Sequence, residues 1–136
     1  MTATPVFVQV PKITPAAFTN ADAANTKKTI HGAGVSGSKV ISLLATSTDT
    51  ANRTAQIWLT RGGVSYLLGS VVVPTLAGTD GAVPTVNLLG GIAGLPIDND
   101  GQRYLFLVSG DTLQASFTTQ VTAAKEIDVI SQAGDF

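Results

Sequence analysis

The chain has 136 residues, enough for one domain with a sizeable core. Eight Lys and Arg face nine Asp and Glu for a net charge of −1, and the cations are scattered, which argues against a nucleic-acid-binding surface. Charged residues make up 12%, about half the ~25% usual for soluble domains, while mean hydropathy is +0.31 and cysteine is absent, so disulfides and thiolate metal sites are excluded.

No run of about 18 apolar residues occurs, so a transmembrane helix is not expected. The first residues lack the basic and apolar pattern of a secretory signal, and synthesis in a cytosol is expected. Asn52-Arg53-Thr54 is then a chance match to the glycosylation pattern. Few charges and much apolar content point to surface that is hidden in an assembly.

Residues 1–26 read as an extended arm or edge strand, punctuated by Pro5, Pro11 and Pro15, with strand character from Val6 to Val10. Residues 27–136 read as the folded domain. Strands are predicted at Lys27 to His31, Ser38 to Thr46, Pro84 to Leu89, Arg103 to Ser109, Thr112 to Thr119 and Lys125 to Ser131.

Between them lies the clearest local signal. Arg53 to Val73 carries two β-rich runs around Gly62-Gly63, a pair suited to the positive φ of a tight hairpin turn. With those glycines as the loop, Arg61 faces Val64, Leu59 faces Tyr66, Trp58 faces Leu67 and Ile57 faces Leu68. One face, Ile57, Leu59, Tyr66 and Leu68, is the predicted core side. On the other, Trp58 and Leu67 are an apolar pair among polar residues, and they are the candidate interface residues.

About eight short strands joined by Gly, Pro and Asp turns, with no amphipathic helix, indicate an all-β chain: an antiparallel β-sandwich, jelly-roll-like, with an N-terminal arm.

Motifs for chemistry fail on context. Gly32-Ala33-Gly34-Val35-Ser36-Gly37 spells the dinucleotide fingerprint, but a strand follows it where a helix N-terminus is needed. Asp98-Asn99-Asp100-Gly101 begins like a calcium loop but lacks the closing Glu, and such residues also make turns. His31 is the only histidine, too little for zinc, and no nucleophile elbow accompanies it. Asp111, Glu126 and Asp128 could pair for glycoside hydrolysis, but they read as turn and outer-face charges. Trp58 and Tyr66 are a thin aromatic platform for a sugar. No catalytic residue, cofactor or metal ligand is assigned, and an enzyme is not expected.

Several stretches look familiar together: Gly37-Ser38-Lys39-Val40, Ala45 to Thr50, Ile57 to Gly69, Ala77 to Gly81, Leu95 to Gly101 and Leu107 to Leu113. Over roughly Lys27 to Phe136 this arrangement resembles small virion structural proteins of tailed bacteriophages and prophages. The resemblance implies a β-sandwich of the virion, with no catalytic residue to carry over. It implies a place on the outside of a capsid or in the tail; the leading expectation is a capsid decoration or stabilising protein on the outer shell, partnered by the major capsid protein or other virion proteins and by copies of itself. The alternatives are a tail or head–tail connector subunit, or a carbohydrate- or receptor-binding module.

Overall fold

A computed structural model describes residues 7–136. Within them the chain forms nine strands: β1 (Val10–Thr19), β2 (Lys28–Gly32), β3 (Ser38–Ser47), β4 (Arg53–Arg61), β5 (Val64–Val73), β6 (Val86–Asn87), β7 (Leu105–Leu107), β8 (Thr112–Phe117) and β9 (Glu126–Asp135). They build two antiparallel sheets. One runs β1-β9-β3-β6, with β7 also on β3, and the other runs β2-β8-β4-β5. The expected all-β sandwich is what the chain forms.

Period-two alternation explains how the sheets pack. Ile57 of β4, Leu113 and Ala115 of β8, Val40, Leu43 and Ala45 of β3, and Ile127 and Val129 of β9 are fully buried and meet in one core. Phe18 and Phe117 close it edge to face, with ring centroids 4.8 Å apart. A hydroxyl bond also links the sheets: Ser131 Oγ donates to the carbonyl of Ile30 at 2.5 Å.

The hairpin forms as read from Arg61–Val64 to Trp58–Leu67, with Gly62 and Gly63 at φ of 58° and 79°. Beyond that the register shifts. Leu68 is the extra residue of a bulge, and Ile57 faces Gly69 instead of Leu68. The side chain of Ile92 explains the glycine, because a Cβ at position 69 would stand 3.1 Å from it. Tyr66, expected in the core, is 55% exposed, since β5 is the edge strand of its sheet.

Of the arm expected over residues 1–26, Met1 to Val6, including the start of the strand expected at Val6 to Val10, lie outside the described residues. Farther on, β1 pairs with β9 along its whole ten-residue length. It holds Pro11 and Pro15, which an edge strand tolerates because one row of its donors has no ladder partner. The strand expected at Pro84 to Leu89 shrinks to two residues, and Leu88–Gly91 is a 3-10 turn capped by Asn87, whose Oδ1 accepts from Leu89 N at 3.3 Å. Arg103 to Ser109 contributes three strand residues, and β9 runs to Asp135, past the expected Ser131.

Candidate functional site

Several of the chemistry-bearing residues are engaged by structure. Gly32–Gly37 crosses from β2 to β3 through a turn, with no helix. Gly37 sits at φ 88°, and a Cβ there would meet the Leu107 carbonyl at 2.7 Å. Asp98 Oδ1 accepts from Asp100 N and Gln102 N, both at 2.9 Å, so its loop's own backbone occupies it.

Asp111 is buried, and Arg61 holds its carboxyl below the ordinary value. Glu126 lies near Asp128 at the start of β9. A hydrogen bond to Asp128 and the charge beside it raise the Glu126 pKa. Asp111 precedes β8 while Glu126 opens β9, after the chain has crossed the length of β8, so these carboxyls stand at opposite ends of the sandwich.

Sequence reading missed Asp49. It is fully buried in the β3–β4 loop, where Arg53 Nε donates to Oδ2 at 2.8 Å, Thr122 Oγ1 to Oδ1 at 2.8 Å and Thr122 N to Oδ2 at 3.1 Å. Burial opposes its charge, but these bonds prevail and its pKa falls far below the usual carboxylate range.

His31 is buried, and among the described residues neither ring nitrogen has a hydrogen-bond partner. Burial lowers its pKa, Asp135 pulls it up, and Lys12 pushes it down. Lys12 is bound instead to Asp135, with Nζ 2.6 Å from Oδ2, and the hydroxyl of Ser38 donates to Asp135 Oδ1.

What remains is surface, and the two outer faces differ. On the four-stranded sheet one row reads Thr29, Gln114, Trp58, Leu67, and its neighbours read Thr112, Thr60, Ser65 and Ser116, Gln56, Ser70. This face is polar, as expected around the candidate pair. Trp58 is half-buried: its Nε1–H donates to Ser116 Oγ at 2.9 Å, and Lys27 Nζ stands 4.2 Å from its ring centroid. Leu67 beside it is 49% exposed.

The outer face of the five-stranded sheet carries an apolar patch toward its Val10–Asp135 end, while Thr46, Glu126 and Asp128 make its other end polar, and no local pattern announced the patch. One row crosses the sheet as Pro11, Gly134, Lys39, Phe106. The next holds Ile13, Gln132 and Ser42, with the bulged Ile41 beside them, and a third holds Pro15, Ile130 and Leu44. Ile13, Ile41 and Phe106 are each about half exposed or more.

A groove of about 1080 Å³ opens on this face between Phe7, Val8 and Gln9 on one side and Ser36, Lys39, Phe106 and Phe136 on the other. Val8 lies over Gly134, where any Cβ would collide with it. Lys39 Nζ lies 4.6 Å from the Tyr104 ring and 5.9 Å from that of Phe106, so even the cation here rests on aromatic faces. Among the described residues lining the groove, no carboxylate or imidazole side chain accompanies Ser36 and Lys39.

No family model and no curated protein matches the chain. Among solved structures, two crystal structures of a pentameric capsid protein isolated from metagenomic phage sequences align with 90% of this chain, at 23% and 24% identity and a TM-score of 0.39. The chain spans 61% and 59% of the length of those chains. The virus-like particle of the giant freshwater prawn Macrobrachium rosenbergii extra small virus aligns with all of this chain and 86% of its own, at 11% identity and a TM-score of 0.33.

Proposed function

We propose that this chain is a non-enzymatic structural protein of a phage virion, a decoration or stabilising subunit seated on the outer capsid shell. The observation that carries the reading is the apolar patch on the outer face of the five-stranded sheet, with Ile13, Ile41, Phe106 and the groove beside them. A sheet face that exposes large apolar side chains on a charge-poor chain is best explained by a partner that covers it. Each such side chain is already partly withdrawn from water, so covering the rest contributes roughly 1–1.5 kcal/mol before the costs of association. Many copies, each bridging a joint between shell subunits, add these contributions by multivalency.

Strand order supports the same reading. With β6 and β7 counted as two pieces of one edge strand, the sheets have the order of a jelly roll, an architecture used by capsid and lectin domains. Fold alone does not choose between those uses; the apolar patch favours assembly, and the sequence resemblance to virion proteins agrees.

Mass spectrometry of purified virions tests the proposal. The chain is expected among the virion proteins, and Phe106→Ser with Ile13→Ser is expected to remove it from particles while circular dichroism still shows a folded β protein. Absence of the wild-type chain from virions overturns the reading.

A further inference from the structure

The sandwich has four edges, and three are guarded by devices that prevent strand pairing. β1 carries Pro11, Lys12 and Pro15. β2 is five residues long, has a bulge between Thr29 and His31, and follows Lys27. The edge beyond β3 is made of the two- and three-residue pieces β6 and β7.

The fourth edge, β5, differs from all of these. It runs ten residues, Val64-Ser65-Tyr66-Leu67-Leu68-Gly69-Ser70-Val71-Val72-Val73, with no charge and no proline. Its ladder is with β4 alone, and among the described residues no loop or turn backbone bonds to it. Val64, Tyr66, Leu67 and Val72 are each about half exposed. An uncharged, apolar strand with a free row of N–H and C=O groups is a template for another strand.

We infer that β5 pairs antiparallel with β5 of a second copy of this chain, joining two four-stranded sheets edge to edge. Absence of charge favours this occupant, because self-pairing sets no like charges opposite one another. The bulge supplies the register. Before Leu68 the outward side chains are Ser65 and Leu67, and after it they are Ser70 and Val72, as their partners Thr60, Trp58, Gln56 and Thr54 show.

A two-fold axis between Leu68 and Gly69 therefore sets Ser65 opposite Val72, Leu67 opposite Ser70 and Tyr66 opposite Val71, with every pair on a matched face. In a regular strand, positions 67 and 70 would face opposite ways and this register could not form. A bulge that usually defends an edge here makes the strand complementary to itself.

The chain has no cysteine, so introduced thiols report the register cleanly. Leu67→Cys and Ser70→Cys are made as separate proteins, mixed and mildly oxidised. The mixture is expected to form a covalent dimer, while a mixture of Leu67→Cys with Val72→Cys, off register, stays largely uncrosslinked. Light scattering on the uncrosslinked wild type should give twice the 13.9 kDa chain mass. Leu67→Lys, a change at a half-exposed position, should abolish the dimer with little change in Tm. A wild-type monomer at all accessible concentrations overturns the inference, as does an assembly of any size that lacks the 67–70 crosslink. Pairing of β5 with a strand of a different protein would give the first of these results.

Discussion

Arg61 grips Asp111 with both arms of its guanidinium: Nε donates to Oδ1 at 2.6 Å and Nη2 to Oδ2 at 2.8 Å. Asp111 Oδ2 also accepts from Val108 N at 3.1 Å, and its carbonyl accepts from Ala33 N at 2.9 Å. One residue thus ties the β4–β5 hairpin, the β7–β8 turn and the start of the β2–β3 loop together. The Asp49, Arg53 and Thr122 cluster does the same at the other end of β4.

The two partners of the Arg61 pair are not equivalent. Asp111 is buried, whereas the Arg61 side chain is 58% exposed. Asp111→Ala takes the acceptor from the Val108 N–H and frees the cation, so it is expected to lower Tm by several degrees. Arg61→Gln leaves the buried Asp111 carboxylate without its cation, so it should lower Tm more. Thermal melts of both variants and of the double variant check this, and equal losses from the two single changes contradict it.

Stability should fall with acid in two separate windows. Asp22 beside Lys28, Asp111 beside Arg61, Asp135 beside Lys12 and Ser38, and Asp49 against the opposing effect of burial all have folded pKa values below the unfolded 3.8. Their contribution is present above that value and is lost as pH falls through it toward the lower folded values. His31 is also depressed, but as a base: below its unfolded 6.5 the unfolded chain takes up the proton that the buried ring refuses. Folding therefore weakens first as pH drops below about 6.5. Denaturant titrations from pH 8 to 3 should show both limbs, and His31→Leu should remove the upper one alone. A variant that keeps the upper limb refutes this origin.

Local signals carried the sandwich but not its decoration. The hairpin was legible through Trp58–Leu67 because Gly62-Gly63 fixes the turn and alternation fixes the faces. The bulge at Leu68 was not, since what demands glycine opposite Ile57 is Ile92, which is distant in sequence. β1 was obscured by prolines that only its edge position excuses. The apolar patch on the outer face joins Pro11, Lys39, Phe106 and Gly134 from four separate strands, each innocuous by itself. Trp58 and Leu67, the interface candidates, do stand together on the surface, but on the more polar of the two faces.

Gly134 is one of the points at which the chain preceding β1 touches the sheet. A Cβ there would run into Val8 Cγ1, and the backbone of Val10 is close by. Gly134→Ala should therefore push Val8 off the sheet while leaving the core unchanged. Amide exchange is expected to rise at Gln9, whose N–H bonds the Asp135 carbonyl at 2.9 Å, and to stay constant in β3 and β8. Exchange that rises across β9 and β3 together would show that the substitution instead breaks the sheet.

Trp58 separates a structural role from an interface role. Its indole is held by Ser116 and covered in part by Lys27, so its own chain already supplies much of its shelter. Trp→Ala in a core costs about 3–5 kcal/mol; at this half-buried site roughly 2 kcal/mol, or several degrees of Tm, is expected. Leu67→Ala, at an exposed neighbour, should barely move Tm. Trp58→Phe keeps the ring and loses only the N–H bond, so it should fall between them. Lys27→Ala uncovers the ring and should shift the single tryptophan's fluorescence to longer wavelength. If Trp58→Ala leaves Tm unchanged but prevents association, the ring serves a partner chain rather than its own, and the polar face joins the apolar patch as a contact surface.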